Sequence, residues 1–377
     1  MSSPGKLRIL IVASFAGSIV QFRGRLIESL VLRGHEVYVA APGLSKGAAA
    51  FDALVSLGAV PCDVPMRRTG MSVVADLGLL WRLGRMMRRR SIDVFIGYTV
   101  KPVIYGSLAA WFAGVPGRFA LITGLGYAFT DPRSGLLTML LRFLYGAALS
   151  KCNRVFFQNR DDEFLFRELG VISEKVPSVV VNGSGIDLDE FGPGPPSGEE
   201  NAFLMICRFL GNKGVREYVE AAHRVRLRRP DAVFCLAGWI DDNPDSIAES
   251  ELEAWMQSGD IEYLGRLEDV KPALRECSVY VLPSYREGTP RTVLEAMAIG
   301  RPIITTDTPG CRETVIDGEN GFLVPVKSVG ALVEAMQRFI DNPELAAEMG
   351  KRSRKIAEEK FDVRKVNEVM LREMGID

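Results

Sequence analysis

The chain has 377 residues, 47% of them hydrophobic, enough for two globular domains of ordinary size. Six cysteines (Cys62, Cys152, Cys207, Cys235, Cys277 and Cys311) include no CxxC pair and only His35 and His223 supply imidazole, which argues against a disulfide framework or structural zinc and fits a reducing cytoplasm. The net charge of −1 conceals a split, because residues 1–180 hold 22 Lys and Arg against 12 Asp and Glu, whereas residues 181–377 hold 24 against 35. The first half is therefore expected to face something anionic, a membrane surface or a phosphorylated substrate. No zinc finger or interleaved aromatic and basic motif points to nucleic acid.

In chain order, KLRILIVAS, RGRLIESLVLRG and HEVYVAAP predict strand, helix and strand. The apolar run from Ile9 to Ala16 is too short for a leader and is cut off by Gln21, Arg23 and Arg25, so it reads as a first buried strand. VVADLGLLWRLGRMMRRR (Val73–Arg90) predicts an amphipathic helix, with Arg82, Arg85 and Arg89 on one side and Leu77, Leu80, Trp81 and Met87 on another. Its basic face, with Arg67 and Arg68 just upstream, is either solvated or rests on anionic lipid. IDVFIGYT and RVFFQN predict further strands. SGLLTMLLRFLYGAALS (Ser134–Ser150) contains Arg142, falls short of a spanning length and predicts a core helix. Residues 1–182 thus read as a doubly wound α/β domain.

At VNGSGIDLDEFGPGPPSGEEN the texture changes to Gly, Pro and acidic residues, predicting a linker over 183–200. AFLMICRF, AVFCLAGW, IEYLG, VYVLPS and PIITT then predict strands of a second α/β domain over 201–377. Between the last two lies REGTPRTVLEAMAIGR, a strand–loop–helix–strand unit in which Thr289 is the expected N-cap and Pro290 the first helical residue. The N-terminus of such a helix opens at the carboxyl ends of parallel strands, where backbone N–H groups attract anions. Glu287 and Glu295 flank that point and are better suited to hydroxyls than to phosphate. On spacing alone the plainer reading is favoured, in which Glu295 caps or solvates a surface helix and Glu287 is a loop charge.

The stretches NGSGIDLDEF, CRFLGNKG, EYLGRLED, EGTPRTVLEAMAIGRPIITTDTPGCRETV and DGENGFLVP together resemble the glycosyltransferases of family 4. That resemblance covers nearly the whole chain and implies a GT-B fold, two Rossmann-like domains facing across a cleft, with retention of configuration at the anomeric carbon. It implies that Glu295 binds the ribose of a nucleotide sugar, with UDP the expected nucleotide, and that Glu287 lies against the donor sugar. Arg208 and Lys213 match the family's pair of cations for the leaving diphosphate, which the N–H groups of Gly288, Thr289, Arg291 and Thr292 help to hold. Arg266 and Leu267 match a turn that meets the base through its backbone, and Gly17 a glycine loop after the first strand.

YTVKPVIYG and TGLGYAF further resemble a subgroup that acts on polyprenyl-diphosphate-linked saccharides in bacterial surface glycan and glycoprotein assembly. Lys101, Thr123 and Tyr127 become acceptor-side candidates. Many family members place a histidine in the cleft; neither histidine here fits that place. The expected protein is thus a hexosyl- or N-acetylhexosaminyltransferase, peripheral on the inner face of the cytoplasmic membrane. No metal or other cofactor is expected, and the Asp187-Leu188-Asp189 spelling of DxD falls within the linker motif. A sugar-nucleotide 2-epimerase would need acid/base groups that the shortage of histidine disfavours. A non-catalytic nucleotide-sugar-binding scaffold is disfavoured by the intact Arg208, Lys213, Glu287 and Glu295.

Overall fold

The computed structural model describes residues 5–67, 72–124, 135–194, 201–241, 243 and 245–376. The chain forms two compact units, residues 1–184 with 364–377, and residues 185–363.

The sheet of the first unit contains β1 (Arg8–Val12), β2 (Glu36–Ala41), β3 (Val60–Asp63), β4 (Val94–Tyr98), β5 (Gly117–Ile122), β6 (Arg154–Phe157) and β7 (Ser178–Val180). Their order is β3-β2-β1-β4-β5-β6-β7 and every described pairing is parallel. Ile9 stands opposite both Val37 and Val94. Helices cover both faces, so β1 is apolar throughout: Ile9 and Ile11 pack with the helix Ala16–Leu32, while Leu10 and Val12 pack with Val73–Arg90. Order reverses between β1 and β4. At that switch Ser14 Oγ and Thr99 Oγ1 lie 2.9 Å apart, and Thr99 has φ of 70°, a costly conformation for a β-branched residue.

The second sheet contains β8 (Ala202–Arg208), β9 (Val233–Trp239), β10 (Glu262–Tyr263), β11 (Val279–Leu282), β12 (Ile303–Thr306) and β13 (Gly321–Val324). Its order is β10-β9-β8-β11-β12-β13, again with parallel pairings. Phe203 stands opposite Phe234 and Val279, and its ring stacks on that of Phe234 at 5.0 Å. This sheet reverses order between β8 and β11, and ligand sites of open α/β sheets form outside such a reversal.

Three expectations change. The final helix, Val363–Met374, belongs from Arg364 onward with the first unit, because Val366, Met370, Leu371 and Met374 join the core that holds Ile9 and Leu26. The core helix expected over Ser134–Ser150 runs from Leu136 to Leu149 and is buried on one side only: Tyr145, Ala148 and Leu149 face inward, Met139 and Phe143 outward. In Val73–Arg90, Met87 turns into the core with Leu79 and Leu83, whereas Leu77 and Trp81 lie exposed on the side that carries the arginines. The expected separation of an apolar from a basic face is therefore lost. Arg68 and Tyr127 lie outside the described residues. Among the described residues, no helix is long and apolar enough to cross a membrane.

Candidate active site

The candidate site lies at the carboxyl edge of the second sheet, beside the β8/β11 reversal. Arg208 is the last residue of β8, and Lys213 closes the short turn Gly211–Lys213 that follows. Gly214 next to it has φ of 75°, and a Cβ there would meet the Pro283 carbonyl oxygen at 2.2 Å, so only glycine lets this turn approach the end of β11. Arg208 Nη1 donates to Asp241 Oδ2 at 2.6 Å. Lys213 Nζ forms an ion pair with Glu287, both side chains being largely buried. Half-buried Cys207 lies within electrostatic reach of all three site charges. Burial pushes its thiol up to about 12, Lys213 and Arg208 oppose that rise, and Glu287 adds to it.

The loop after β11 carries Glu287, whose N–H donates to Pro309 O at 3.0 Å. The helix then runs from Arg291 to Ile299. Its N-cap is Pro290, not Thr289, because Pro290 is extended (φ −72°, ψ 111°) and the helix starts one residue later than its sequence indicates. The helical ladder begins where Val293 and Leu294 donate to Pro290 O. Gly288 and Thr289 precede the cap, and Arg291 and Thr292 form the first turn. Glu295, one turn further, is almost fully buried and accepts from Arg291 Nε at 2.8 Å. Burial raises its pKa above the ordinary carboxylate value, against the pull of Arg291.

Arg266 follows β10, and its guanidinium lies 4.5 Å from the centroid of the Trp239 ring at the end of β9. Its side chain thus has a defined stacking partner, more than its backbone-directed assignment implied. Leu267 packs against the edge of the second core. Asp187 Oδ1 accepts from the backbone N–H groups of Asp189 and Glu190, at 3.0 and 3.3 Å, as a turn-capping side chain does. No group of three or more His, Cys, Asp or Glu side chains suited to a metal ion occurs among the described residues.

The acceptor-side candidates belong to the first unit. Gly17 lies in the first turn of the helix Ala16–Leu32, not in a loop, because the chain turns helical directly after extended Phe15. Lys101 follows β4 and is buried; its Nζ lies 2.7 Å from Asp76 Oδ1, and Tyr105 donates to Asp76 Oδ2 at 3.2 Å. Thr123 follows β5 and is half-buried. His35 is tucked between the first helix and β2, accepting the Leu7 N–H at Nδ1, and His223 sits 3.1 Å from Asp260 on the helix Val215–Arg226.

Sequence reasoning missed Asp241, Trp239, Asp76 and Tyr105. Asp241 and Trp239 could have been found from their place at the carboxyl end of a predicted strand. Asp76 stands on a helix read only for its basic and apolar faces.

Two family models match the chain: "Glycosyl transferase 4-like domain" over residues 17–183 and "Glycosyl transferases group 1" over residues 189–356. The N,N'-diacetylbacillosaminyl-diphospho-undecaprenol alpha-1,3-N-acetylgalactosaminyltransferase of Campylobacter jejuni is 29% identical over 92% of both chains. The UDP-Gal:alpha-D-GlcNAc-diphosphoundecaprenol alpha-1,3-galactosyltransferase of Escherichia coli is 27% identical over 74% of both. Among solved structures, sucrose-phosphate synthase from Thermosynechococcus elongatus superposes with a TM-score of 0.79 at 18% identity, covering 97% of this chain and 98% of that one. HepE of Anabaena, solved in complex with UDP, gives 0.77 at 16% identity and covers 98% and 99%. Two parallel-sheet domains of this kind have the GT-B fold, and the family models and relatives make the chain a glycosyltransferase. The chain belongs to glycosyltransferase family 4 and resembles the members that act on polyprenyl-diphosphate-linked glycans. The epimerase and scaffold readings are not favoured.

Proposed function

We propose that the protein transfers a hexosyl or N-acetylhexosaminyl group from a UDP-sugar, with retention, to a saccharide carried on a polyprenyl diphosphate in bacterial surface glycan or glycoprotein assembly. Support comes from relatives named for undecaprenyl-diphosphate-linked acceptors, one of them also for UDP-galactose. The observation that carries the reading is the charged cluster beside the β8/β11 reversal: Arg208 at the end of β8, Lys213 in the turn after it, Glu287 in the loop after β11, and a helix N-terminus between Glu287 and Glu295.

In this reading, cleavage of the donor leaves negative charge on the departing diphosphate. Arg208 and Lys213 neutralise it, helped by the N–H groups of Gly288, Thr289, Arg291 and Thr292. An Arg fork and a Lys point charge suit phosphate oxygens. Glu295 accepts from the ribose hydroxyls. Glu287 orients the donor sugar and tempers the positive charge that develops on it while the acceptor attacks from the leaving-group face. Arg266 and Leu267 border the base, and Gly17 lies beneath the diphosphate. Lys101, with Thr123 and Tyr127, serves the acceptor, and Asp76 and Tyr105 hold the Lys101 ammonium in place. No metal takes part. Attachment to an anionic membrane surface through the basic first half brings the enzyme to its lipid-linked acceptor.

The test is incubation with a panel of nucleotide sugars and undecaprenyl-diphosphate-linked saccharides, followed by analysis of the lipid product. Transfer from a UDP-sugar with an unchanged anomeric configuration is expected. Transfer only to soluble acceptors, or an inverted linkage, would overturn the reading.

A further inference from the structure

One helix layer of the first unit carries large apolar side chains on its outward side. In Val73–Arg90, with Leu79, Leu83 and Met87 directed at the sheet, the opposite side presents Leu77 and Trp81, 59% and 60% exposed, and further along Arg85, Arg88 and Arg89. In Leu136–Leu149, Met139 and Phe143 stand one turn apart and are 68% and 70% exposed. The short helix Ser107–Ala113 touches both and joins them into one layer. Its exposed Trp111 and Phe112 rings lie 4.7 Å apart. The Phe112 carbonyl accepts from Arg88, and Lys151 Nζ lies 4.7 Å from the Trp111 ring centroid.

The polarity of the fold orders this surface. In a parallel sheet each connecting helix starts at the carboxyl edge and ends at the amino edge. Leu77, Met139 and Phe143 fall in the first two turns of their helices, towards the carboxyl edge. Arg88, Arg89 and Lys151 fall at or beyond the last turns, towards the amino edge. Leu77, Met139 and Phe143 thus lead, Trp81 lies between, and the arginines follow with the Trp111 and Phe112 rings among them. Indole and guanidinium are the groups that settle at a bilayer interface, the arginines keeping their charge at the phosphates while their stems lie along apolar surface. A two-fold pairing of this face with a second copy would set arginines against arginines or, with the axis turned by 90°, against the apolar side chains, whereas a bilayer receives both groups at their own depths.

We propose that this face inserts Leu77, Trp81, Met139 and Phe143 into an anionic bilayer, with Arg85 and Arg89 at the headgroup phosphates. The proposal rests on the membrane attachment above and deepens it, since the hold becomes apolar as well as electrostatic. It also bears on the acceptor side. Asp76, which holds Lys101, is the residue before Leu77, so a single helical turn ties the depth of insertion to the position of that buried cation.

The experiment uses the full chain and vesicles of equal parts phosphatidylglycerol and phosphatidylcholine. After flotation in low salt, a substantial fraction is expected to stay bound in high salt, and tryptophan emission is expected to be quenched by lipids brominated in the acyl chain. Trp81→Phe should remove most of that quenching. The double variant Leu77→Ser with Phe143→Ser should float in low salt but lose about tenfold in partitioning at high salt; because both side chains are exposed, an unchanged circular dichroism melt is expected alongside. Complete release of the wild type by salt, with no quenching, would overturn insertion and leave electrostatic attachment standing. Failure to float at any salt would overturn both. Self-association without vesicles, abolished in the double variant, would assign the face to a second copy and overturn the proposal.

Discussion

Arg208 Nη1 and Asp241 Oδ2 meet at 2.6 Å, joining the end of β8 to the segment that follows β9. Several further bonds brace the same junction: Gly211 donates to Asp245 O, Asn212 to Asp245 Oδ2, and Ile247 to Phe209 O. The end of β8 and the turn after it, which carry the two cations, are thus stitched to Asp241, Asp245 and Ile247. Asp241→Asn keeps the shape of the contact but removes its charge, freeing the guanidinium to swing away from the diphosphate position. A fall of about tenfold in kcat/KM for the donor is expected, or about 1.4 kcal/mol, with little change in Tm because the pair is partly exposed. Steady-state kinetics beside thermal melting measures both. Unchanged kinetics would remove Asp241 from the positioning of Arg208.

Lys213 and Glu287 form a second ion pair. Substituting either one leaves its partner a largely buried charge deprived of that ion pair, whereas substituting both does not. Glu287→Gln should slow turnover more than it raises the KM for the donor, because the carboxylate acts on charge that develops during transfer. In the cycle of Lys213→Met, Glu287→Gln and the double variant, stability losses should be non-additive by about 1–3 kcal/mol. Additive losses in urea unfolding would show that the two charges do not sense each other.

The second-unit site was largely legible in the sequence, for a local reason. Val279 to Thr306 contains two buried β-branched strands and a short helix, so the positions of Glu287 and Glu295 about the helix N-terminus follow from adjacent residues. The two facing cations, Arg208 and Lys213, came from a motif, not from spacing. Asp241 escaped notice because it lies 33 residues from Arg208, and only strand order brings them together. Asp76 and Lys101, 25 apart, are the same case. The expected apolar face also grouped side chains that a helix separates: Trp81 and Met87, six residues apart, lie about 120° from each other around the axis, and Met87 is core while Trp81 is surface.

A strong chelator is expected to leave turnover unchanged. Diphosphate charge in the proposed mechanism is met by Arg208, Lys213 and a helix N-terminus, and the Asp187 carboxylate is occupied in capping its own turn. Transfer assayed with and without EDTA checks this. Loss of activity restored by magnesium or manganese would reverse the assignment.

Gly310 sits against the backbone of the site loop. Its φ is 82°, and a Cβ there would lie 2.3 Å from the Glu287 carbonyl oxygen and 2.6 Å from that of Gly288. Alanine at this position is strained twice, by the left-handed backbone and by the clash, and the second strain is relieved only if Glu287 and Gly288 move. Gly310→Ala should cost about 1–3 kcal/mol of stability. It should also lower kcat more than a comparably destabilising substitution remote from the site. Melting and kinetics on the same preparation separate the two effects. A stable variant with normal turnover would show that the loop is free to yield.

Glu295 gives the stability of the protein a pH dependence of definite sign. Burial raises its folded-state pKa above the unfolded value, so between those values the folded chain holds more protons than the unfolded chain. Stability then falls as pH rises from the ordinary carboxylate range through the raised pKa, and the ionised form is the less favourable one in the fold. Arg291, 2.8 Å away, offsets part of that burial cost. Glu295→Gln has no proton to lose, so its melting temperature should decline less than that of the wild type across the same acidic-to-neutral interval. At neutral pH the variant should nevertheless bind donor more weakly, by about 1.5–3 kcal/mol for each charge-assisted hydrogen bond lost to the ribose. Calorimetric melts of both proteins over that interval, with donor titrations at neutral pH, test the two halves separately. Parallel melting curves would place the Glu295 pKa at its unfolded value, and unchanged donor affinity would take this carboxylate out of the nucleotide site.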